Sequence, residues 1–197
     1  MKKLIRILFF IVTMISAGTS HQMLAQSTEE IRVTFEAYLE TVRNKDNPAT
    51  IEYLYPGLFN IIPKETLLQV MNQLYSDSTV NVSYLDLSLT NVSDIIPHEE
   101  KAYALVSYSN KLQMQFITQP GEDDTEAMEM TLNAFNNAYG KENVAYEADT
   151  QTFTIYSESD VYAIKDPAYD GWKFIEKKDN LQPILQQLIP AAISDKL

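Results

Sequence analysis

The stretch Val80-Asn81-Val82-Ser83-Tyr84-Leu85-Asp86-Leu87-Ser88-Leu89 decides the fold. Val80, Val82 and Tyr84 alternate with polar residues, the period-two pattern of a strand with one buried face. The alternation changes phase at Leu85 and continues through Leu87 and Leu89. A slip of one residue inside a strand predicts a β-bulge, which bends and twists the strand that carries it. A second strand is expected over about 102–116. Its apolar phase runs Ala102, Ala104, Val106, Tyr108, then Leu112, Met114 and Phe116, with Asn110-Lys111 as a bend in the middle. Two long bent strands in succession predict a curved antiparallel sheet.

Helical periodicity precedes these strands. Ser27-Thr28-Glu29-Glu30 fits a capping box, and Ile31, Phe35, Leu39 and Val42 recur at helical spacing up to about Asn44. Asn47-Pro48 restarts the chain as a cap followed by a first-turn proline, and Pro56-Gly57 stops that short helix. A third helix opens at Pro63 and places Leu67, Met71 and Leu74 on one face, ending near Ser76. After the long strands, the acidic run Glu122-Asp123-Asp124 leads a fourth helix, with Met128, Leu132, Phe135 and Tyr139 on its apolar face and Gly140 at its end. Three shorter strands are expected at about 144–148 with 152–157, 161–165 and 172–177, then a closing helix with Leu181, Ile184, Leu185 and Leu188 before Pro190. Helices first and a strand meander last is not the alternation of a parallel sheet. It predicts an α+β domain: N-terminal helices packed on a strongly curved antiparallel sheet, helices gathered on one face, one helix between strands and a C-terminal helix.

The first 25 residues read as a cleavable export signal. Lys2, Lys3 and Arg6 form a basic start, Leu4 to Ile15 is an apolar stretch shorter than a bilayer span, and small and polar residues follow from Ser16 to Ser20, with the cut expected after Ala25 or, alternatively, near Ala17 to Ser20. Residues 26–197 are then expected to form a single soluble, exported domain, periplasmic or extracellular. The whole chain carries a formal charge of −12, and loss of the three basic residues of the leader makes it more negative still. So acidic a surface repels phosphate backbones and anionic membranes, so neither nucleic acid nor a membrane is an expected partner.

The residue inventory excludes several chemistries. There is no cysteine, so disulfides, thiol catalysis and thiolate metal sites are ruled out. His98, in Pro97-His98-Glu99-Glu100, is the one histidine assured after cleavage and reads as an exposed turn residue. Gly57, Gly121, Gly140 and Gly171 sit beside proline, acid or helix ends, and none belongs to a nucleotide-phosphate loop. The acids Glu122, Asp123, Asp124, Glu126 and Glu129 lack calcium-loop spacing and read as a solvated helix start. No metal and no cofactor is expected. Tyrosine is abundant, with Tyr84, Tyr103, Tyr108, Tyr156 and Tyr162 on strands, where aromatic side chains pack well and carry a polar tip.

The order of elements resembles the NTF2-like, cone-shaped α+β fold. Tyr55-Pro56-Gly57-Leu58-Phe59, Ile62-Pro63-Lys64-Glu65, Tyr139-Gly140-Lys141-Glu142-Asn143-Val144 and Gly171-Trp172-Lys173-Phe174 are similar to segments of small exported proteins of Bacteroidota. The resemblance implies a hollow between the bent sheet and the early helices. With so few catalytic residue types, the first expectation is a non-enzymatic domain that binds a small apolar molecule or another exported protein. Tyr84, Tyr108, Met114 and Trp172 would line its cavity. Enzymes of this fold place an Asp or His, with a Tyr, inside the cone; the nearest equivalents here are Asp86 and Tyr108, matched to no family motif, so the second expectation is an isomerase or dehydratase with a carboxylate base and a tyrosine oxyanion donor. The third is a structural homodimer through the open sheet face.

Overall fold

The computed structural model describes residues 27–76, 78–117 and 125–197. The expected leader and the acidic run Glu122-Asp123-Asp124 lie outside these residues. Helix α1 occupies 27–43. Ile31, Phe35 and Leu39 are fully buried at four-residue spacing, so the stripe read from the sequence is the face that packs. Each such side chain contributes about 1.5–3 kcal/mol on burial. Ser27 is already helical rather than preceding the helix.

Helix α2 spans Asn47–Glu52 and is capped by Asp46, whose carboxylate accepts from the Ala49 amide at 3.0 Å. The expected cap, Asn47, instead lies inside the helix, buried, and donates to Asn72 Oδ1 at 2.8 Å. Its amide is needed to tie α2 to helix α3, Lys64–Ser76. A 3-10 turn, Pro56–Asn60, joins the two.

The six strands are β1 Val80–Val92, β2 Ile96–His98, β3 Lys101–Phe116, β4 Val144–Glu147, β5 Thr152–Lys165 and β6 Trp172–Lys177. Helix α4, Thr125–Tyr139, lies between β3 and β4, and helices α5, Gln182–Leu188, and α6, Ala191–Ser194, close the chain. All strand pairs are antiparallel, in the order β1-β3-β5-β4, with β2 on β3 and β6 on β5. The sheet is curled, and β1 slips register against β3 twice, between Tyr84 and Asp86 and between Leu89 and Asn91. Leu85 is the first extra residue, half exposed, as the phase change predicts. The two slips keep Val82, Tyr84, Leu87, Leu89 and Val92 on one face, opposite Met114, Leu112, Asn110, Tyr108 and Val106.

Three features differ from the sequence reading. The register of β3 with β5 runs unbroken from Ala102–Lys165 to Gln115–Thr152, so Asn110-Lys111 is not a bend. The two strands expected over 152–157 and 161–165 are one strand, β5. Pro97-His98 is not a turn but part of β2, and the turn is the pair Glu99-Glu100, with Glu99 at φ 53°.

Helices cover both faces of the sheet, which corrects the one-face expectation. The face carrying Ala104, Val106, Val161 and Ala163 packs against α1. At the other end of the same face, Phe153 and Ile155 pack against Met128, Leu132 and Phe135 of α4. The opposite face presents Tyr103, Tyr162, Ile164 and Ile175 to Leu185, Ile189 and Ile193 of α5 and α6. The last helix is drawn there because the strands are apolar on both sides at that end.

A polar knot fastens the same end. Tyr55 donates to Asp166 Oδ2 at 3.0 Å, Lys101 Nζ lies 2.8 Å from that oxygen and 2.9 Å from the phenol, and the Ala168 amide donates to Asp166 Oδ1 at 3.0 Å. Burial pushes the Asp166 carboxyl up, but the hydrogen bonds from Lys101, Ala168 and Tyr55 outweigh it and hold the carboxyl below its ordinary value.

Candidate functional site: a cleft between two helices

Helices α1 and α4 pack over opposite ends of the same face of the sheet. A cleft of about 750 Å³ lies between them. Its α1 wall is Tyr38, Leu39 and Val42, and its α4 wall is Ala138 and Tyr139. Tyr84 and Leu87 of β1, Tyr108, Asn110 and Leu112 of β3, and Ile155, Ser157 and Ser159 of β5 form the floor. Gly140, at φ 89°, ends α4 directly beside this wall; a Cβ there would stand 2.8 Å from Glu142 Oε1.

The open side follows from the pairing of β5. Strand β4 pairs with 152–155 and β6 with 160–165, so residues 156–159 have no strand neighbour on that edge. Ser157, Glu158 and Ser159 line the cleft there. Their polarity marks an open edge over a hollow rather than a break in the strand. Asn110 is directly opposite Ser157 in β3 and donates to its hydroxyl at 2.9 Å.

The polar centre is Glu176 of β6. It pairs with Val161, which puts it on the face that α1 covers. Tyr108 donates to Glu176 Oε1 at 2.7 Å, and the Ser159 hydroxyl is a second partner of the phenol. Glu176 Oε2 is buried and accepts no hydrogen bond among the described residues; Lys178 Nζ is 3.6 Å away. Burial, reinforced by the nearby Glu176 charge, pushes the phenols of Tyr38 and Tyr108 well above the ordinary tyrosine value. Burial likewise raises Tyr84, with Tyr75 of α3 beside it. All three phenols therefore stay neutral donors at any physiological pH.

Of the four side chains expected in the cavity, Tyr84 and Tyr108 meet in the cleft. Met114 is half-buried in the cluster under α4, and Trp172 is 1% exposed in the core under α1, with Lys165 Nζ 5.8 Å from its ring. Asp86 does not face Tyr108. It stands opposite Lys111 on the other side of the sheet, exposed, and accepts from Ser88 at 2.7 Å. The bulge at Leu85 causes this, because it restarts the alternation with Leu87 inward. His98 pairs with Lys101 at the far end of β3, away from the cleft. Among the described residues no group of acids and histidines could hold a metal ion.

Glu176, Tyr38, Asn110, Ser157 and Ser159 were not singled out by sequence reasoning. A signal existed: Asn110 in β3 and Ser157-Glu158-Ser159 in β5 interrupt apolar strands at positions that face one another. No family model matches this chain, and no curated protein matches it.

Proposed function

We propose that the protein is an exported binding module that holds a small molecule with an apolar body in the cleft between α1 and α4. One observation carries this reading: the cleft, about 750 Å³, combines aromatic and aliphatic walls with a few convergent polar groups around Glu176. The volume is in the range of sites for single small ligands. The curled sheet with α1 and α4 over its hollow is what supports the NTF2-like cone reading. The export reading rests on the sequence of residues 1–25.

An enzyme of the isomerase or dehydratase kind is the second reading. Its support is a partly buried carboxylate, Glu176, within hydrogen-bond distance of a phenol that stays protonated. Glu176 would replace Asp86 as the base. The homodimer reading has less support. The open part of the outer face carries Ser83, Asp86, Lys111, Gln113 and Thr154, with Tyr156, 40% exposed, beside them, a mostly polar surface.

Native mass spectrometry of protein purified gently from its own cells tests the binding reading. A non-covalent adduct is expected in the wild type and is expected to be lost in Leu112→Trp, where a larger side chain fills the floor. Absence of an adduct, together with no thermal shift from any of a panel of small apolar molecules, refutes it. Turnover of an adducted molecule that is lost in Glu176→Gln would favour the enzyme.

A further inference from the structure

We infer that the ligand of this cleft is a protonated amine carried on an apolar body, with its ammonium group bound at the Glu176 carboxylate in the place that Lys178 now partly fills. The inference rests on the binding reading above and goes further by naming the chemical class.

Glu176 is the carboxylate at the centre of the cleft, with Lys178 and Asp179 at its edge; Glu158 alternates to the other face of β5, where it accepts from Tyr156 at 3.0 Å. Two lysines are also near, but neither neutralises the centre fully. Lys177 turns to the opposite face, where its Nζ donates to the Leu197 carbonyl at 2.7 Å and lies 5.7 Å from the Tyr162 ring. Lys178 Nζ stops 3.6 Å from Glu176 Oε2, close enough to feel its charge and too far for a hydrogen bond. An ammonium group is thus accepted at this oxygen, and the chain's own lysine fills the place incompletely.

The oxygen itself requires a donor. Oε1 is occupied by Tyr108, whereas Oε2 is buried and accepts nothing among the described residues. Buried carboxylate oxygens normally have hydrogen-bond partners. A ligand anion would be repelled by Glu176, and a purely apolar ligand would leave Oε2 without a donor. A protonated amine satisfies it directly through a charge-assisted bond.

The walls agree. Tyr38, Tyr84 and Tyr108 surround the same region, and neutral aromatic rings attract cations through their electron-rich faces. Burial keeps these phenols from ionising, so they present no competing charge of their own. The apolar residues Leu39, Leu87, Leu112 and Ile155 line the rest of the cleft and would receive the body of the ligand. The net negative charge of the chain raises the local concentration of cations at its surface.

The test is calorimetric titration of the purified protein with three molecules of one tail length, octylammonium, octanol and octanoate, below their aggregation limits at pH 7. Octylammonium is expected to bind about tenfold more tightly than octanol, and octanoate more weakly than either. Lys178→Met, which removes the internal competitor, is expected to widen the preference for octylammonium over octanol several-fold. Glu176→Gln is expected to bring octylammonium to the octanol level. Equal binding of octylammonium and octanol, or preference for octanoate, overturns the amine assignment while the binding cleft stands. Failure of all three to bind overturns the cleft reading and this one with it. Should Glu176→Gln not fold, the wild-type series and Lys178→Met decide the question.

Discussion

The phenol of Tyr108 on β3 reaches past β5 to Glu176 on β6 and donates to its Oε1 at 2.7 Å. One hydrogen bond therefore joins two strands that share no backbone pairing and fixes the carboxylate at the centre of the cleft. Tyr108→Phe leaves Glu176 with a second unsatisfied oxygen. A loss of about 2 kcal/mol is expected, because hydrogen bonds to charged groups are worth roughly 1.5–3 kcal/mol. Urea unfolding monitored by circular dichroism measures it, and an unchanged midpoint would show that the bond does not contribute.

The same cluster predicts an alkaline limit. Tyr38, Tyr84 and Tyr108 all have folded-state values raised above the ordinary tyrosine value of about 10. Their contribution to stability is complete below about pH 10, where the unfolded chain also keeps its protons, and declines as the pH rises toward the folded values. Spectrophotometric titration should show these phenols ionising together with unfolding. Early, smooth ionisation of every tyrosine with the fold intact would contradict the burial of this cluster.

Asp166 predicts the acid limit. Its folded-state value is lowered, so its contribution is present above the ordinary aspartate value of about 4 and is lost as the pH falls through the folded value. Lys101→Met removes the cation of the knot and is expected to cost about 2 kcal/mol at pH 7. The difference between this variant and the wild type should shrink in urea titrations near pH 2. A difference independent of pH would show that Lys101 acts through packing instead.

Leu85 separates a side-chain effect from a backbone effect. The residue is 52% exposed, so Leu85→Ser should change stability by no more than about 0.5 kcal/mol. Deleting Leu85 removes the bulge, and one end of β1 must then turn its inward residues outward. The deletion should cost about 4 kcal/mol or more, enough to abolish cooperative unfolding in urea. A stable deletion variant would show that the slip is not required.

Trp172 separates stability from binding. It is buried in the core under α1 and does not line the cleft. Trp172→Ala should cost about 3–5 kcal/mol. The milder Trp172→Phe should keep the affinity for whichever octyl compound binds the wild type, within about twofold. A large loss of affinity with little loss of stability would place the indole in the ligand site after all.

Much of the sheet was legible because its signals are local. The phase change at Leu85 announced the bulge, and the stripe Ile31, Phe35 and Leu39 announced the packing face of α1. Gly140 ended α4 at the expected place. The polar interruptions misled: Asn110-Lys111 and Ser157-Glu158-Ser159 look like breaks in isolation, because polarity within a strand means either a turn or a strand position that faces water. Choosing between these requires knowing what lies alongside.

The sequence by itself determined where helices give way to strands, the bulge in β1 and the absence of cysteine chemistry, since periodicity and residue inventory depend only on near neighbours. Tertiary structure decided which face Asp86 takes, that α5 and α6 cover the second face, and that Glu176 stands among Tyr38, Tyr84 and Tyr108. The last arrangement joins residues from α1, β1, β3 and β6, far apart in the chain. Strand order and register bring them together, and no local pattern encodes which strand lies beside which.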